Sequence, residues 1–388
     1  MRLLVIHPRM SVLGGGERVA IHSIIAALKG GYEVYLASED FDVATFEDFF
    51  ACQGLFKNVH MLTYPTFRPI AEKAVLYQRL LYHQWHVRGI LPKAGDLDLI
   101  LSTQDVAYLP PARVPVIQYC YFPEYFVHLE SNPSSLFWRM YYWPATLFYH
   151  NQVDRIDYLL STSNFTQGIV KEKWRRESTT LYPPCPIDLY KSLKSPKEDL
   201  VITVGRVVPE KRMDLFLEIA RRLSEVKFAI IGSVSPEREP YFHHLQQIAP
   251  VNVSFVMSPL RRVKDVLARA KIYVHCARNE HFGITVVEGM AAGCVPVVHD
   301  SGGPREIVTD EVGYRWRFVE DAVNQISSVI RDESLRRELS RRAVSRAEQF
   351  RPEAFESGLE KVLRIYEEHS HDSLSSVANT RLTPDPGA

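Results

Sequence analysis

Glu280 and Glu288 stand with seven residues between them in NEHFGITVVEGMAAG, residues 279–293, and Phe282-Gly283 marks the point where a helix should begin. Glu280 falls in the loop after the apolar run 272–275, which reads as a strand. Gly283, Ile284 and Thr285 then open a helix whose first backbone N–H groups have no acceptor within the helix and face an anion. Glu288 follows about one turn further in. Such a segment offers one carboxylate to sugar hydroxyls, bare amides to a diphosphate and a second carboxylate to a ribose diol. On its own the pair describes a solvated helix face, so its companions carry the weight.

The first companion is VGRVVPEK, residues 204–211, which follows a strand-like run and precedes a helix. It sets Arg206 and Lys211 at one edge of a sheet, where two fixed cations can neutralise a diphosphate as it leaves. The second lies near the amino terminus, where SVLGGGER follows the apolar run LLVIH and precedes a helical pattern. A strand, a glycine loop and a helix start receive phosphate through backbone amides, with Gly15 and Gly16 allowing close approach. A dinucleotide site is the competing reading, encouraged by Glu39 and Asp40 about 20 residues on. Val19 stands where that fingerprint needs its third glycine, which weakens it.

These residues need elements to position them, and the chain supplies two sets. In the first half, apolar runs at 3–7, 33–37 and 97–102 alternate with helix-period stretches at 17–28 and 71–86. The pattern restarts after YPPCP, residues 182–186, with runs at 200–204, 227–231, 253–256, 272–275 and 295–299 and helices at 213–223 and 263–270. Such alternation specifies βα units and parallel sheets. We expect an α/β protein of two doubly wound, Rossmann-like domains facing across a cleft, residues 1–184 and 185–370, followed by a disordered tail at 371–388 rich in Ser, Asn, Thr and Pro. A last helix at 354–368 is expected to cross back to the first domain.

The 388 residues, 46% of them hydrophobic, provide ample core for two domains. Zero formal net charge disfavours nucleic acid as a partner. Five scattered cysteines lack metal-ligand spacing and read as reduced, structural thiols. The start reads as a β-strand rather than a signal peptide, and no run reaches the roughly 18 apolar residues of a spanning helix. The expected location is cytoplasmic, at the inner face of a membrane. Asp96-Leu97-Asp98 imitates a D-x-D metal motif but leads into an apolar run, which makes it a strand entrance. His275-Cys276 and His299-Asp300 lie at strand ends without further ligands at metal spacing. No metal and no cofactor is expected.

Together, the glycine loop, GRVVPEK, NEHFGITVVEGMAAG and SGGP at 301–304 resemble the family 4 retaining glycosyltransferases of GT-B fold, over nearly the whole chain. The wording NEHFGI, SGGP and YPPC is most similar to mannosyltransferases that extend lipid-linked oligosaccharides from GDP-mannose. The resemblance implies metal-independent transfer of a hexose, mannose from GDP-mannose, to a hydroxyl of a lipid-linked or other glycoconjugate acceptor. It implies that Arg206 and Lys211 hold the donor diphosphate and that Glu280 meets the transferred sugar. The amides of Phe282, Gly283, Ile284 and Thr285 would bind the distal phosphate, Glu288 the ribose, and Gly15 and Gly16 the diphosphate from the first domain. The base would lie near residues 257–260. A UDP-sugar donor and a non-catalytic nucleotide-sugar-binding protein remain as alternatives, as does an epimerase or hydrolase on the same fold.

One departure concerns the His-aromatic-Pro pattern of many relatives. Here the run is QYCYFP, residues 118–123, and Tyr121 takes the histidine's place. A phenol with a pKa near 10 donates a hydrogen bond but is a poor base at neutral pH. Tyr121 is therefore assigned positioning or core packing, with His128 as a stand-in. Aromatics crowd residues 119–149, and KEKWRR at 171–176 is basic; both suit a peripheral membrane contact.

Overall fold

The computed structural model describes residues 1–72, 74–123, 136–192, 195–257 and 260–371. His128, Tyr125 and Phe126 lie outside the described residues, as do 258–259 of the expected base-binding segment and the tail from 372 onward. His371, assigned above to the tail, is the last residue of the helix Pro352–His371. Contacts group the chain into two units, Met1–Pro184 with Glu353–Ala388, and Cys185–Pro352.

The first unit is a parallel sheet of β1 (Arg2–Ile6), β2 (Glu33–Glu39), β3 (Val59–Tyr64), β4 (Leu99–Ser102), β5 (Val116–Cys120), β6 (Tyr158–Ser161) and β7 (Thr179–Thr180). Their order is β3-β2-β1-β4-β5-β6-β7. Its central strands are buried almost throughout, as a sheet covered by helices on both faces requires. Alternation along β1 sends Leu3 and Val5 to one core, with the helix Gly15–Lys29, and Leu4 and Ile6 to the other. Phe355, Leu359, Val362 and Leu363 of the last helix join the Leu3 core. Residues 353–366, counted in the second domain by the sequence division, therefore pack in the first unit. A half-hidden ion cluster fastens them: the buried Glu356 carboxylate meets His22 Nδ1 at 2.7 Å and Lys29 Nζ at 2.5 Å.

The second unit is a parallel sheet of β8 (Glu198–Arg206), β9 (Lys227–Ser233), β10 (Val253–Met257), β11 (Ala270–His275), β12 (Val295–His299) and β13 (Tyr314–Trp316). Its order is β10-β9-β8-β11-β12-β13. In each sheet the strand order reverses between two neighbours, β1 and β4 in the first and β8 and β11 in the second. Loops leaving the C-terminal ends of such neighbours diverge to opposite faces and open a crevice, the ordinary ligand position in this architecture. The Asp98 carboxylate accepts from the Arg2 amide at 2.7 Å, so the D-x-D look-alike is a strand entrance.

Candidate functional site

In the second unit, β8 delivers Arg206 and the turn Pro209–Lys211, and β11 delivers His275 and the loop to Glu280. The reversal point brings these loops together, and Lys211 Nζ donates to Glu280 Oε2. His275 Nε2 lies 3.4 Å from the same oxygen, with the ring almost fully buried. Burial alone would raise the Glu280 pKa. The His275 hydrogen bond and the Lys211 charge outweigh it and hold the carboxyl well below the usual carboxylate range. Glu280 is thus a permanent anion at neutral pH, fit to accept hydrogen bonds and unfit to give or take a proton in turnover. Arg206 is exposed and, among the described residues, its guanidinium has no hydrogen-bond or ion-pair partner.

The helix Ile284–Ala291 starts immediately after this loop, capped by Gly283 at φ 104°. Val286 already donates to the Gly283 carbonyl, which leaves the amides of Ile284 and Thr285 at the open end. The Phe282 side chain points inward, its ring 5.5 Å from that of Phe350, so only its backbone belongs to the site surface. Thr285 Oγ1 accepts from Tyr273 Oη at 2.7 Å, which pins the first helical turn to β11. Glu288 is half-buried one turn along.

Beneath the loop lies the turn 301–304. The Gly303 amide donates to the Glu280 carbonyl at 2.8 Å, and Ser301 Oγ accepts from the Asn279 amide at 2.9 Å. A Cβ on Gly302 would stand 2.4 Å from the Glu280 carbonyl oxygen, and one on Gly303 2.4 Å from Phe282 Cα. Only glycine permits that approach. His299 completes the floor, its Nδ1 2.8 Å from Ser301 Oγ and its ring edge-on to Trp316.

In the first unit, Gly14 caps the helix Gly15–Lys29, and its amide donates to Glu17 Oε2 at 2.7 Å. Glu17 is buried beside His7, whose Nε2 lies 3.4 Å from Glu17 Oε1 and whose Nδ1 lies 2.9 Å from Thr103 Oγ1. This couples the β1 loop to the β4 loop and fixes the glycine turn from inside. Tyr121 Oη donates to the Gly16 carbonyl at 3.0 Å, and burial pushes its pKa well above the ordinary phenol value. Its proton holds the glycine turn, a positioning contact.

Sequence reasoning missed His275 as a partner of Glu280, having weighed it only as a metal ligand or a triad member. It also missed that Ser301, Gly302 and Gly303 support the Glu280 loop. The visible signal was a histidine ending a core strand five residues before the glutamate. Among the described residues no group of three or more His, Cys, Asp or Glu is placed to hold a metal ion, and all five cysteines are free.

Residues 187–346 match the family model "Glycosyl transferases group 1". The chain is 28% identical over 225 residues to a GDP-Man:Man(3)GlcNAc(2)-PP-Dol alpha-1,2-mannosyltransferase of Xenopus laevis, covering 52% of the chain and 46% of the relative. With the protein of the same description from Caenorhabditis elegans the identity is 30% over 237 residues, covering 52% and 50%. The chain thus spans about half the length of these curated relatives. Among solved structures, Anabaena Alr3699/HepE in complex with UDP and glucose superposes with a TM-score of 0.70 at 17% identity, covering 94% of the chain and 99% of that structure. Sucrose-phosphate synthase from Thermosynechococcus elongatus gives 0.72 at 14%, covering 95% and 100%.

Proposed function

From the GT-B fold and the glycosyl transferases group 1 domain at residues 187–346, we propose that this chain is a retaining mannosyltransferase that moves mannose from GDP-mannose to a hydroxyl of a lipid-linked acceptor, without a metal ion. The observation that carries the reading is the Lys211, Glu280 and His275 cluster at the reversal point of the second sheet, beside the open helix end at Ile284. In this reading the donor diphosphate takes Lys211 away from Glu280 and gains Arg206 and the Ile284 and Thr285 amides. Glu280, held by His275, then accepts from hydroxyls of the mannose, and Glu288 from the ribose. The anomeric carbon loses its bond to the phosphate oxygen and forms one to the acceptor oxygen on the same face. The acceptor's proton passes to the departing phosphate, so no side chain serves as base. Lys211 and Arg206 stabilise the charge that develops there.

Thermal-shift titration with GDP, UDP and ADP, then turnover with the best sugar conjugate, tests this. GDP is expected to raise the melting temperature most, because a ligand that binds only the folded state stabilises it in proportion to occupancy. Transfer is expected to persist in EDTA. A larger shift with UDP would favour the UDP-sugar reading, which the UDP complex of the superposable Anabaena structure also suggests. No shift with any nucleotide, or transfer abolished by EDTA, would defeat the mechanism.

The same reading includes contact with the membrane that carries the acceptor. On the helix Val75–Ile90, Leu81 and Trp85 are exposed on one stripe; on Leu136–Asp154, Leu136, Met140, Trp143 and Leu147 repeat at helical spacing and are exposed too. Tyr77 of the first helix donates to the Tyr141 carbonyl of the second, and their rings meet edge-on at 5.2 Å. The first helix carries Arg79 and Arg88 and no carboxylate, the second Arg139 with Asp154 only at its end. Apolar rings flanked by cations match an anionic headgroup layer. Among the described residues no helix is long and apolar enough to cross a membrane. Flotation with phosphatidylserine-rich vesicles is expected to carry the chain upward, and Trp85→Ser with Trp143→Ser to weaken this several-fold without changing the GDP shift. Equal flotation of both proteins would remove this surface from the proposal.

A further inference from the structure

Among the described residues, six that are not glycine hold a left-handed backbone, with φ between 50° and 55°. Three of the six lie in the loops of the candidate site: Leu13 beside the glycine turn, Arg212 directly after Lys211, and Asn279 directly before Glu280. Such backbone is strained for a residue with a Cβ and persists where the surroundings over-determine it. Asparagine tolerates it, and the Asn279 amide is in addition held by Ser301 Oγ at 2.9 Å. Arginine has no such tolerance, so of the two residues flanking the Lys211–Glu280 contact Arg212 is the more strained.

Arg212 joins the turn Pro209–Lys211 to the helix Met213–Arg222, as the C-cap of one and the N-cap of the other. Its amide donates to the Pro209 carbonyl at 3.0 Å, and its carbonyl accepts from the Leu215 amide at 3.1 Å. Both elements therefore close through one residue. A right-handed or extended backbone at this position would break that closure and rotate the turn that carries Lys211. The Arg212 guanidinium meets the Asp214 carboxylate two residues on, with Nε 3.2 Å from each oxygen and Nη2 3.0 Å from Oδ2. This fork ties the strained residue to the first turn of the helix that follows and offsets the strain locally. Resting on the glycosyltransferase reading for what Lys211 does, we propose that Arg212 is a positioning residue: its left-handed backbone, held by the Asp214 fork, aims Lys211 at Glu280. The guanidinium is engaged by Asp214 and takes no part in gripping the donor.

Arg212→Ala, Arg212→Gly and Asp214→Asn in the intact chain test this by two readouts, hydrogen exchange at the turn and turnover. Alanine keeps the Cβ and loses the fork, so exchange of the amides of Lys211, residue 212 and Leu215 should quicken about tenfold and kcat should fall about tenfold. Glycine adopts the left-handed backbone unaided, so with Arg212→Gly both quantities should stay within about threefold of the unaltered chain. Asp214→Asn should cost about threefold more turnover in the unaltered chain than in the Arg212→Gly background, where no fork remains to lose. In the Lys211→Ala background Arg212→Ala should lower turnover no further, because no cation is left to aim, whereas a purely structural loss would persist. Equal losses from Arg212→Ala and Arg212→Gly, or an Arg212→Ala chain that exchanges and turns over like the unaltered one, overturn the proposal. The expected order in exchange, with no transfer from any sugar nucleotide, would keep Arg212 as the residue that sets the turn and defeat the glycosyltransferase reading.

Discussion

Lys211→Ala is expected to lower kcat by about 10²- to 10³-fold, the scale seen when one preorganised group facing developing charge is removed. Folding should change little, because Lys211 sits in a short turn and His275 still faces Glu280 when the lysine is gone. Glu280→Gln is expected to lower kcat similarly, since the neutral amide accepts more weakly from the sugar hydroxyls than the carboxylate does. The two residues share one contact, so the double variant should lose less than the product of the single losses. Glu288→Ala is expected to differ in kind. It should raise the donor KM about tenfold with kcat nearly kept, because ribose contacts bind ground state and transition state alike. Equal and small effects of all three would remove these assignments.

The pH dependence separates roles further. The folded pKa of Glu280 is depressed, so its contribution to stability is present above the unfolded carboxylate value of about 4.3. That contribution is lost only as pH falls through the lower folded value. Between about pH 5 and pH 8 Glu280 therefore does not titrate, and Glu280→Gln should lower the pH–rate profile without reshaping it. An acid limb in the unaltered enzyme that vanishes in Glu280→Gln would mean that Glu280 exchanges protons during turnover.

What could be read without coordinates follows from how local each signal is. Most of the second sheet was legible because its strands are largely apolar runs, and the residues ending two of them, Arg206 and His275, fall where the pattern breaks; Tyr314–Trp316 went unread because YRW is short and carries an arginine. Val59–Tyr64 and Tyr158–Ser161 went unread because VHMLTY and YLLS are short and mix polar with apolar residues; only pairing with a neighbouring strand makes them strands. The last helix showed its apolar stripe, but Phe355 and Leu359 do not announce which sheet they cover. Lys211 and Glu280 were singled out 69 residues apart, yet the hydrogen bond between them arises only from the juxtaposition of β8 and β11. Gln118 gave no signal, since an amide inside a strand looks like ordinary strand polarity until the Gln104 and Tyr119 carbonyls that it holds are seen.

Gly303→Ala should be a severely damaging single-methyl change near the site. Its Cβ would lie 2.4 Å from Phe282 Cα and 2.7 Å from the carbonyl oxygens of His281 and Phe282, all backbone atoms that no rotamer change can move. Either the turn 301–304 or the loop 279–282 must shift by the better part of an ångström. The hydrogen bond from the Gly303 amide to the Glu280 carbonyl then lengthens. We expect a loss of about 2–4 kcal/mol, from backbone clash and a broken buried hydrogen bond together. At roughly 2–4 °C per kcal/mol for a unit of this size, the melting temperature should fall by about 5–15 °C. Activity at a temperature where the variant is still folded should fall about 10²-fold, since displacing Glu280 and the Ile284 helix end misplaces the groups that grip the donor. Ser301→Ala separates support from clash. It removes only the hydroxyl that links the Asn279 amide to His299, without adding volume, and should cost about 1 kcal/mol and a few-fold in turnover. If Gly303→Ala melts and turns over like the unaltered chain, the turn does not hold the Glu280 loop in solution. If Ser301→Ala proves the more harmful, the hydroxyl link rather than the close glycine approach sets the loop's position.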